Sequence, residues 1–411
     1  MKKKIVVAYS GGLTSTVIIP WLKENQDCDI IAVCVDVGQA VDWKALQKQA
    51  VSVGASACHV IDAKKEYVED YFWPVLKAGF IQNEKFLLGS LITKPLITKA
   101  LAEYVRKEKV TAFAHGDRSF NSDINNALKA LVPSLEIIDP WMKWKLIYRQ
   151  DQIRFLARRK LPIPVKKNDY SIKESNLLSA SYTGPDLLDS SSEPMYRKIL
   201  SMVVLPEKAP NKPEFAEIEF DKGIPVSLNG KKMEGAALVS QLNKIGGAHG
   251  IGINDMIENL WENVKARSLY ETPAISILYY AHQKLESICL DKQTITFKQQ
   301  AAFELNALIT SNSWVSTLRE ALSSFVDTTQ KNVSGKVRLK LYKGSITTMG
   351  VTSPNSMLLT SSIAEQVKKP AKGAVAPKAK SVAAKATDKA AAKAKTVAPK
   401  EKTTKKPVKK K

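Results

Sequence analysis

Cysteine and histidine are scarce in this chain, with four of each among 411 residues. Cys28, Cys34, Cys58 and Cys289 stand at no metal-ligand or redox spacing, and three of them lie in or beside apolar runs, where a thiol serves as a small buried hydrophobe. Cys58-His59 is an isolated fragment rather than a ligand set, so no metal site made of protein side chains is expected. Long apolar runs are missing too. Met1-Lys2-Lys3-Lys4 is followed by only about five apolar residues, too few for a signal-peptide core, and no run reaches the roughly 18 that a membrane helix needs. These absences predict a soluble, cytoplasmic protein without a membrane partner.

Acidic and aromatic residues are nearly absent from one segment. Between Lys368 and Lys411 there are 16 lysines against two acids, Asp388 and Glu401, and no aromatic side chain, so most of the net charge of +22 sits there. A segment of Lys, Ala, Pro, Thr and Val cannot bury enough apolar surface to offset its chain entropy. It reads as a disordered Lys/Ala-rich tail, suited to non-specific polyanion contact and lacking the stacking platform of a dedicated nucleic-acid module.

What the chain does contain is concentrated at its start. Ile5-Val6-Val7-Ala8-Tyr9 is an apolar run that ends in Ser10-Gly11-Gly12-Leu13-Thr14-Ser15-Thr16, with a helix-compatible segment from Val17. Glycines let a backbone approach a ligand closely, and the unpaired N–H groups of a helix start attract an anion. An ordinary tight strand–helix turn has the same pattern, but its place after a predicted strand near the N-terminus favours a phosphate guest.

Short apolar runs then alternate with helical patterns as far as about Pro164. Ile5–Tyr9, Asp29–Val35, Ala57–Ile61, Thr111–Ala114 and Leu135–Ile138 read as strands; Trp43–Val53, Pro95–Lys107 and Gln150–Arg159 read as helices. This alternation predicts an α/β fold with a doubly wound parallel sheet, whose ligands sit beyond the carboxyl ends of the strands. The loops Asp36-Val37-Gly38-Gln39 and His115-Gly116-Asp117 should therefore converge on Ser-Gly-Gly. Residues 165–190 read as an irregular Lys/Ser/Asn stretch. Beyond it a second, α+β domain has strand-like pieces at Glu217–Phe220 and Val337–Tyr342 with helices between. The expected domains are 1–164 (nucleotide-binding), 165–358 (synthase and multimerisation) and 359–411 (linker and basic tail).

Several segments, in their order and spacing, resemble the argininosuccinate synthase family of N-type ATP pyrophosphatases. They are Ala8-Tyr9-Ser10-Gly11-Gly12-Leu13, Val37-Gly38-Gln39, Ala114-His115-Gly116, His249-Gly250-Ile251-Gly252, Ile257-Glu258-Asn259, Tyr270-Glu271-Thr272-Pro273 and the run Gly335–Gly344. The resemblance covers about Ile5 to Leu358. It implies an ATP-dependent C–N ligase of arginine biosynthesis that joins citrulline to aspartate through a citrullyl-adenylate, with Mg²⁺ accompanying ATP, in a homotetramer. It also implies an ATP site at Ala8, Tyr9, Ser10, Gly11, Gly12, Leu13, Thr14, Ser15, Thr16, Val35 and Gly116. Citrulline would be held by Ser171, Ser181, Glu258 and Tyr270, with Ser181 matching only if one residue is inserted nearby. Arg118, Ser122 and Asp123 occupy the aspartate-binding positions, and Asp123 is the catalytic candidate.

Departures gather where substrates should bind. Thr14 stands for the family's aspartate in the phosphate loop. Arg118 replaces a threonine, Ser122 an asparagine, and Asn126 an arginine that clamps a carboxylate. Exchanging an arginine fork for an amide costs about 2–5 kcal/mol by analogy with lost charged pairs. Phe86 lacks a tyrosine hydroxyl, Leu91 replaces a serine, Thr183 a glutamate and Ile253 an arginine. Three readings follow: a ligase with a re-tuned pocket, a catalytically impaired paralogue that keeps the fold and nucleotide binding, and a polyanion- or nucleic-acid-binding protein acting through its tail.

Overall fold

The alternation Ile5-Val6-Val7 sends its side chains to opposite faces of a sheet, and all three are completely buried because both faces are covered. In the structure, a computed structural model that describes residues 2–79, 89–117, 123–165, 171–194, 196–261, 264–311 and 313–358, five parallel strands make this sheet. They are β1 (Lys3–Ala8), β2 (Cys28–Asp36), β3 (Ala57–Asp62), β4 (Ala112–Ala114) and β5 (Glu136–Ile138), in the order β3-β2-β1-β4-β5. Val6, Val33, Val35 and Phe113 join one apolar cluster, while Ile5, Val7, Ala32, Cys34 and Ala114 join another on the opposite face. Helices Leu13–Asn25, Trp43–Ser52, Gly89–Lys107, Asp123–Leu131 and Arg149–Arg158 follow successive strands. The predicted doubly wound sheet is thus the observed one, and its order reverses between β1 and β4, where such sheets hold their ligands.

Two differences from the sequence reading bear on the site. The first helix starts at Leu13, four residues before Val17, because Gly12 adopts an extended N-cap conformation and its carbonyl already accepts the Thr16 N–H at 3.0 Å. The hydroxyl residues Thr14 and Ser15 therefore belong to the helix's first turn. Residues 165–190, read as irregular, contain two short strands, β6 (Ile172–Ser175) and β7 (Ala180–Thr183). Their polar composition gives no strand signal; tertiary pairing supplies it.

Beyond them, β8 (Glu214–Asp221), β9 (Ile224–Leu228), β10 (Lys231–Lys232), β11 (Ile253–Trp261), β12 (Val264–Glu271), β13 (Gly335–Tyr342) and β14 (Ser345–Thr352) complete two antiparallel sheets. One has the order β10-β9-β8-β13-β14 and the other β11-β12-β7-β6. Val337, Leu339 and Leu341 alternate into a core shared with Leu278, Ala281 and Leu285 of the helix Pro273–Cys289. Residues up to Met357 form one compact unit. Within it the β6–β7 turn is fastened to the segments that follow β2 and β3. Leu177 N–H donates to the Val37 carbonyl at 2.8 Å, and the Tyr67 hydroxyl donates to Asn176 Oδ1 at 3.1 Å. Gly38, at φ +88°, leaves no room for a Cβ, which would come within 2.5 Å of Leu177 Cβ. This fastening sets the second sheet beside the carboxyl ends of the first. No helix of the described residues is long and apolar enough to cross a membrane. The tail from residue 359 and the loop positions Phe86, Arg118 and Ser122 lie outside the described residues.

Candidate active site

At the carboxyl end of β1 the chain turns on Gly11, whose φ of +75° and contact with Leu46 exclude a side chain: a Cβ would lie 2.2 Å from Leu46 Cδ1. The turn is braced from within. Ser15 Oγ donates to the Gly12 carbonyl at 3.1 Å, and Gly12 N–H donates to Ser10 Oγ at 3.4 Å. Thr16, fully buried, points away from the ligand side and accepts Gln49 Nε2 at 3.2 Å, with the Tyr9 hydroxyl at 3.4 Å. Burial pushes the Tyr9 phenol up to about 12, so it stays protonated at neutral pH. The helix Leu13–Asn25 has no side-chain cap, which leaves its first-turn amides to an outside acceptor.

A cavity of about 950 Å³ opens over this turn. Ala8, Tyr9, Ser10, Gly12, Leu13, Thr14, Ser15, Val35 and Gly116 all line it, and so does Ser171. Gly11 and Thr16 are not on its wall; they hold the turn from behind. Gly116 follows β4, and a Cβ there would come within 2.8 Å of Thr14 Cγ2. His115 positions this second loop: its buried ring accepts the Asp117 N–H through Nδ1 at 3.2 Å, so Nε2 carries the proton donated to Asn125 Oδ1 at 2.7 Å. Trp141 Nε1 adds a bond to the Gly116 carbonyl at 3.2 Å.

Ser181, Glu258 and Tyr270 lie on the β11-β12-β7-β6 sheet. In register, Glu174 opposes Ser181, and Ser181 opposes Tyr270, so the three share one face across adjacent strands. The Tyr270 hydroxyl donates to Glu258, 2.9 and 3.0 Å from its two oxygens. Burial, with Glu258 and Glu174 nearby, drives the Tyr270 phenol well above its usual range. Ser181 lines a second cavity of about 550 Å³, whose wall shares Lys173 and Glu174 with the larger one. Glu258 and Tyr270 line neither cavity. Asp123 opens the helix Asp123–Leu131, but its side chain, like Arg118 and Ser122, lies outside the described residues.

Comparison with known proteins decides the family. Residues 4–162 match the arginosuccinate synthase N-terminal HUP domain, and residues 170–373 match the arginosuccinate synthase C-terminal domain. The argininosuccinate synthase of Brachyspira hyodysenteriae is 45% identical over 360 residues, 87% of this chain and 89% of that one. That of Caldanaerobacter subterraneus subsp. tengcongensis is 47% identical over 358 residues, 86% of this chain and 87% of its own. The chain belongs to the argininosuccinate synthase family. Within this family member, two residues on the wall of the larger cavity carry no sequence signal: Glu174, in a polar segment with no strand pattern, and Arg149, an arginine opening a helix. Neither stands out until the fold brings it to the cavity wall. Among the described residues no group of three or more His, Cys, Asp or Glu side chains could hold a metal ion.

Proposed function

We propose that this chain is an ATP-dependent ligase that condenses citrulline with aspartate to give argininosuccinate, AMP and pyrophosphate. The observation that carries this reading is the wall of the larger cavity, where Ser10, Thr14 and Ser15 of the turn line the same space as Glu174 of β6 and Ser171 just before it. A nucleotide on the turn and an amino acid on the sheet would meet there. The citrulline ureido oxygen attacks the α-phosphorus of ATP, the bond to pyrophosphate breaks, and a citrullyl-adenylate remains. The aspartate amine then attacks the ureido carbon and AMP leaves with that oxygen. Adenylation is needed because a urea oxygen is a poor leaving group, so the protein's contribution is position and charge stabilisation.

In this reading Ala8 to Thr16, Val35 and Gly116 form the ATP site, Gly11 and Thr16 holding the turn from behind while its amides and the Ser10 hydroxyl receive phosphate oxygens. Ser171, Ser181, Glu258 and Tyr270 hold citrulline. Because Tyr270 gives its proton to Glu258, its lone pairs are left to accept from the substrate ammonium, alongside Ser181. Arg118, Ser122 and Asp123 are assigned to aspartate. Mg²⁺ arrives with ATP; it commonly takes one or two carboxylates plus substrate phosphates, and Asp117 and Glu174 on the cavity wall fit that need. When bound, the ion would supply neutralisation of phosphate charge. Residues 1–164 and 165–358 act as nucleotide and synthase portions of a homotetramer in the cytoplasm.

The test is pyrophosphate release by the purified full-length protein in Mg·ATP. Release that requires citrulline, with argininosuccinate formed only on adding aspartate, is the expected result; ATP binding without any citrulline-dependent release would identify an impaired paralogue instead. The tail favours one additional property, since 16 lysines against two acids make a polycation. Retention on DNA or RNA should fall steeply with salt and vanish on truncation after Gln366.

A further inference from the structure

Arg149 lines the larger cavity together with the phosphate turn. It is the first residue of the helix Arg149–Arg158, and its Nε is buried without a hydrogen-bond partner among the described residues. A guanidinium N–H removed from water and left unpaired is costly, so an acceptor from outside the described residues is called for. The helix fixes where that acceptor must be. Gln152, three residues on and therefore on the same face, is buried; it accepts the Thr14 hydroxyl at 3.2 Å and donates to the Leu146 carbonyl at 3.2 Å. Thr14 lies in the uncapped first turn of the helix that follows Gly12. Gln152 thus ties the first turn of this helix to the phosphate turn, and Arg149 shares the cavity wall with that turn's anion-seeking end.

We infer that Arg149 binds the β- and γ-phosphates of ATP and the pyrophosphate they become; the inference rests on the ATP reading above. When the bond between the α-phosphorus and the bridging oxygen breaks, the electron pair leaves with pyrophosphate. A planar guanidinium beside the turn takes that charge through paired N–H donors, a geometry an ammonium group does not reproduce. The N–H groups of the turn and the Arg149 fork are complementary: the amides offer fixed dipoles and the arginine a full charge. Lys173, the other cation on the wall among the described residues, lies on β6 beside Tyr182, with its Nζ 5.4 Å from that ring's centroid, and so belongs to the amino-acid side.

Calorimetry on the full-length protein with pyrophosphate and, separately, with AMP tests the assignment. Arg149→Met keeps the apolar stem and removes the fork. It is expected to weaken pyrophosphate binding at least tenfold while leaving AMP binding within twofold, and Arg149→Lys should recover part of the loss. Pyrophosphate binding unchanged in Arg149→Met overturns the inference and leaves the ATP reading standing. Equal loss of AMP and pyrophosphate, with a lowered melting temperature, also overturns it, because that pattern marks a structural residue. A wild-type protein that binds neither ATP nor pyrophosphate removes the ATP reading and this inference together.

Discussion

Single side chains and single hydrogens decide the shape of the nucleotide cavity. At position 116 one added methyl group would sit 2.8 Å from Thr14 Cγ2 on the cavity wall. Gly116→Ala is therefore expected to raise the KM for ATP about tenfold or more, with the melting temperature little changed, as a contact made at the wall predicts. Gly11→Ala should behave in the opposite way. Its φ of +75° and the Leu46 side chain behind it place the cost in the fold, about 1–3 kcal/mol, read as a lower denaturant midpoint. His282 gives a pH signature. It is wholly buried between Glu286, Lys298 and Gln330, and burial lowers its pKa below the ordinary 6.5, with Glu286 opposing and Lys298 reinforcing. The folded protein thus holds a neutral ring while the unfolded chain takes up a proton below about 6.5. Stability from this group is complete above that pH and is lost as pH falls through it. The urea midpoint should decline on acidification from 7 to 5.5, and His282→Gln should flatten that decline.

Elements bring these residues together, and here sequence and structure part company in an informative way. The parallel strands β1 to β5 are legible because each is a short apolar run covered on both faces. The phosphate turn is legible because Gly11-Gly12 interrupts such a run. β6 and β7 are not legible: Lys173, Glu174, Ser175, Ser181 and Thr183 carry no apolar alternation, and their pairing depends on β12. The hairpin β11–β12 is hidden for the same reason, since Lys265, Arg267 and Ser268 read as loop residues until they pair with β11. Arg149 is invisible because an arginine opening a helix is ordinary; the fold reveals it by setting it on the cavity wall. One residue ties these elements to the segment before β8. Glu271, buried at the end of β12, accepts the N–H groups of Ser201, Met202 and Val203 and the Ser201 hydroxyl, at 2.6 to 3.0 Å. Glu271→Leu would strand those donors inside the protein. A loss of about 3–5 kcal/mol in unfolding free energy is expected, measured by denaturant titration.

At the scale of the molecule, the family models match residues 4–162 and 170–373, the compact unit ends at Met357, and 16 lysines fall between Lys368 and Lys411. Truncation after Gln366 should accordingly leave citrulline-dependent pyrophosphate release unchanged. The departures at Thr14, Asn126 and Thr183 make the whole-molecule question sharper, because a body that keeps the fold need not keep the chemistry. The direct test follows one atom. Full-length protein is given Mg·ATP, aspartate and citrulline carrying ¹⁸O at the ureido oxygen, and the AMP is analysed by mass spectrometry. Attack by that oxygen on the α-phosphorus predicts ¹⁸O in the AMP phosphate. AMP formed without the label, or no AMP at all in protein that still binds ATP, would contradict the account.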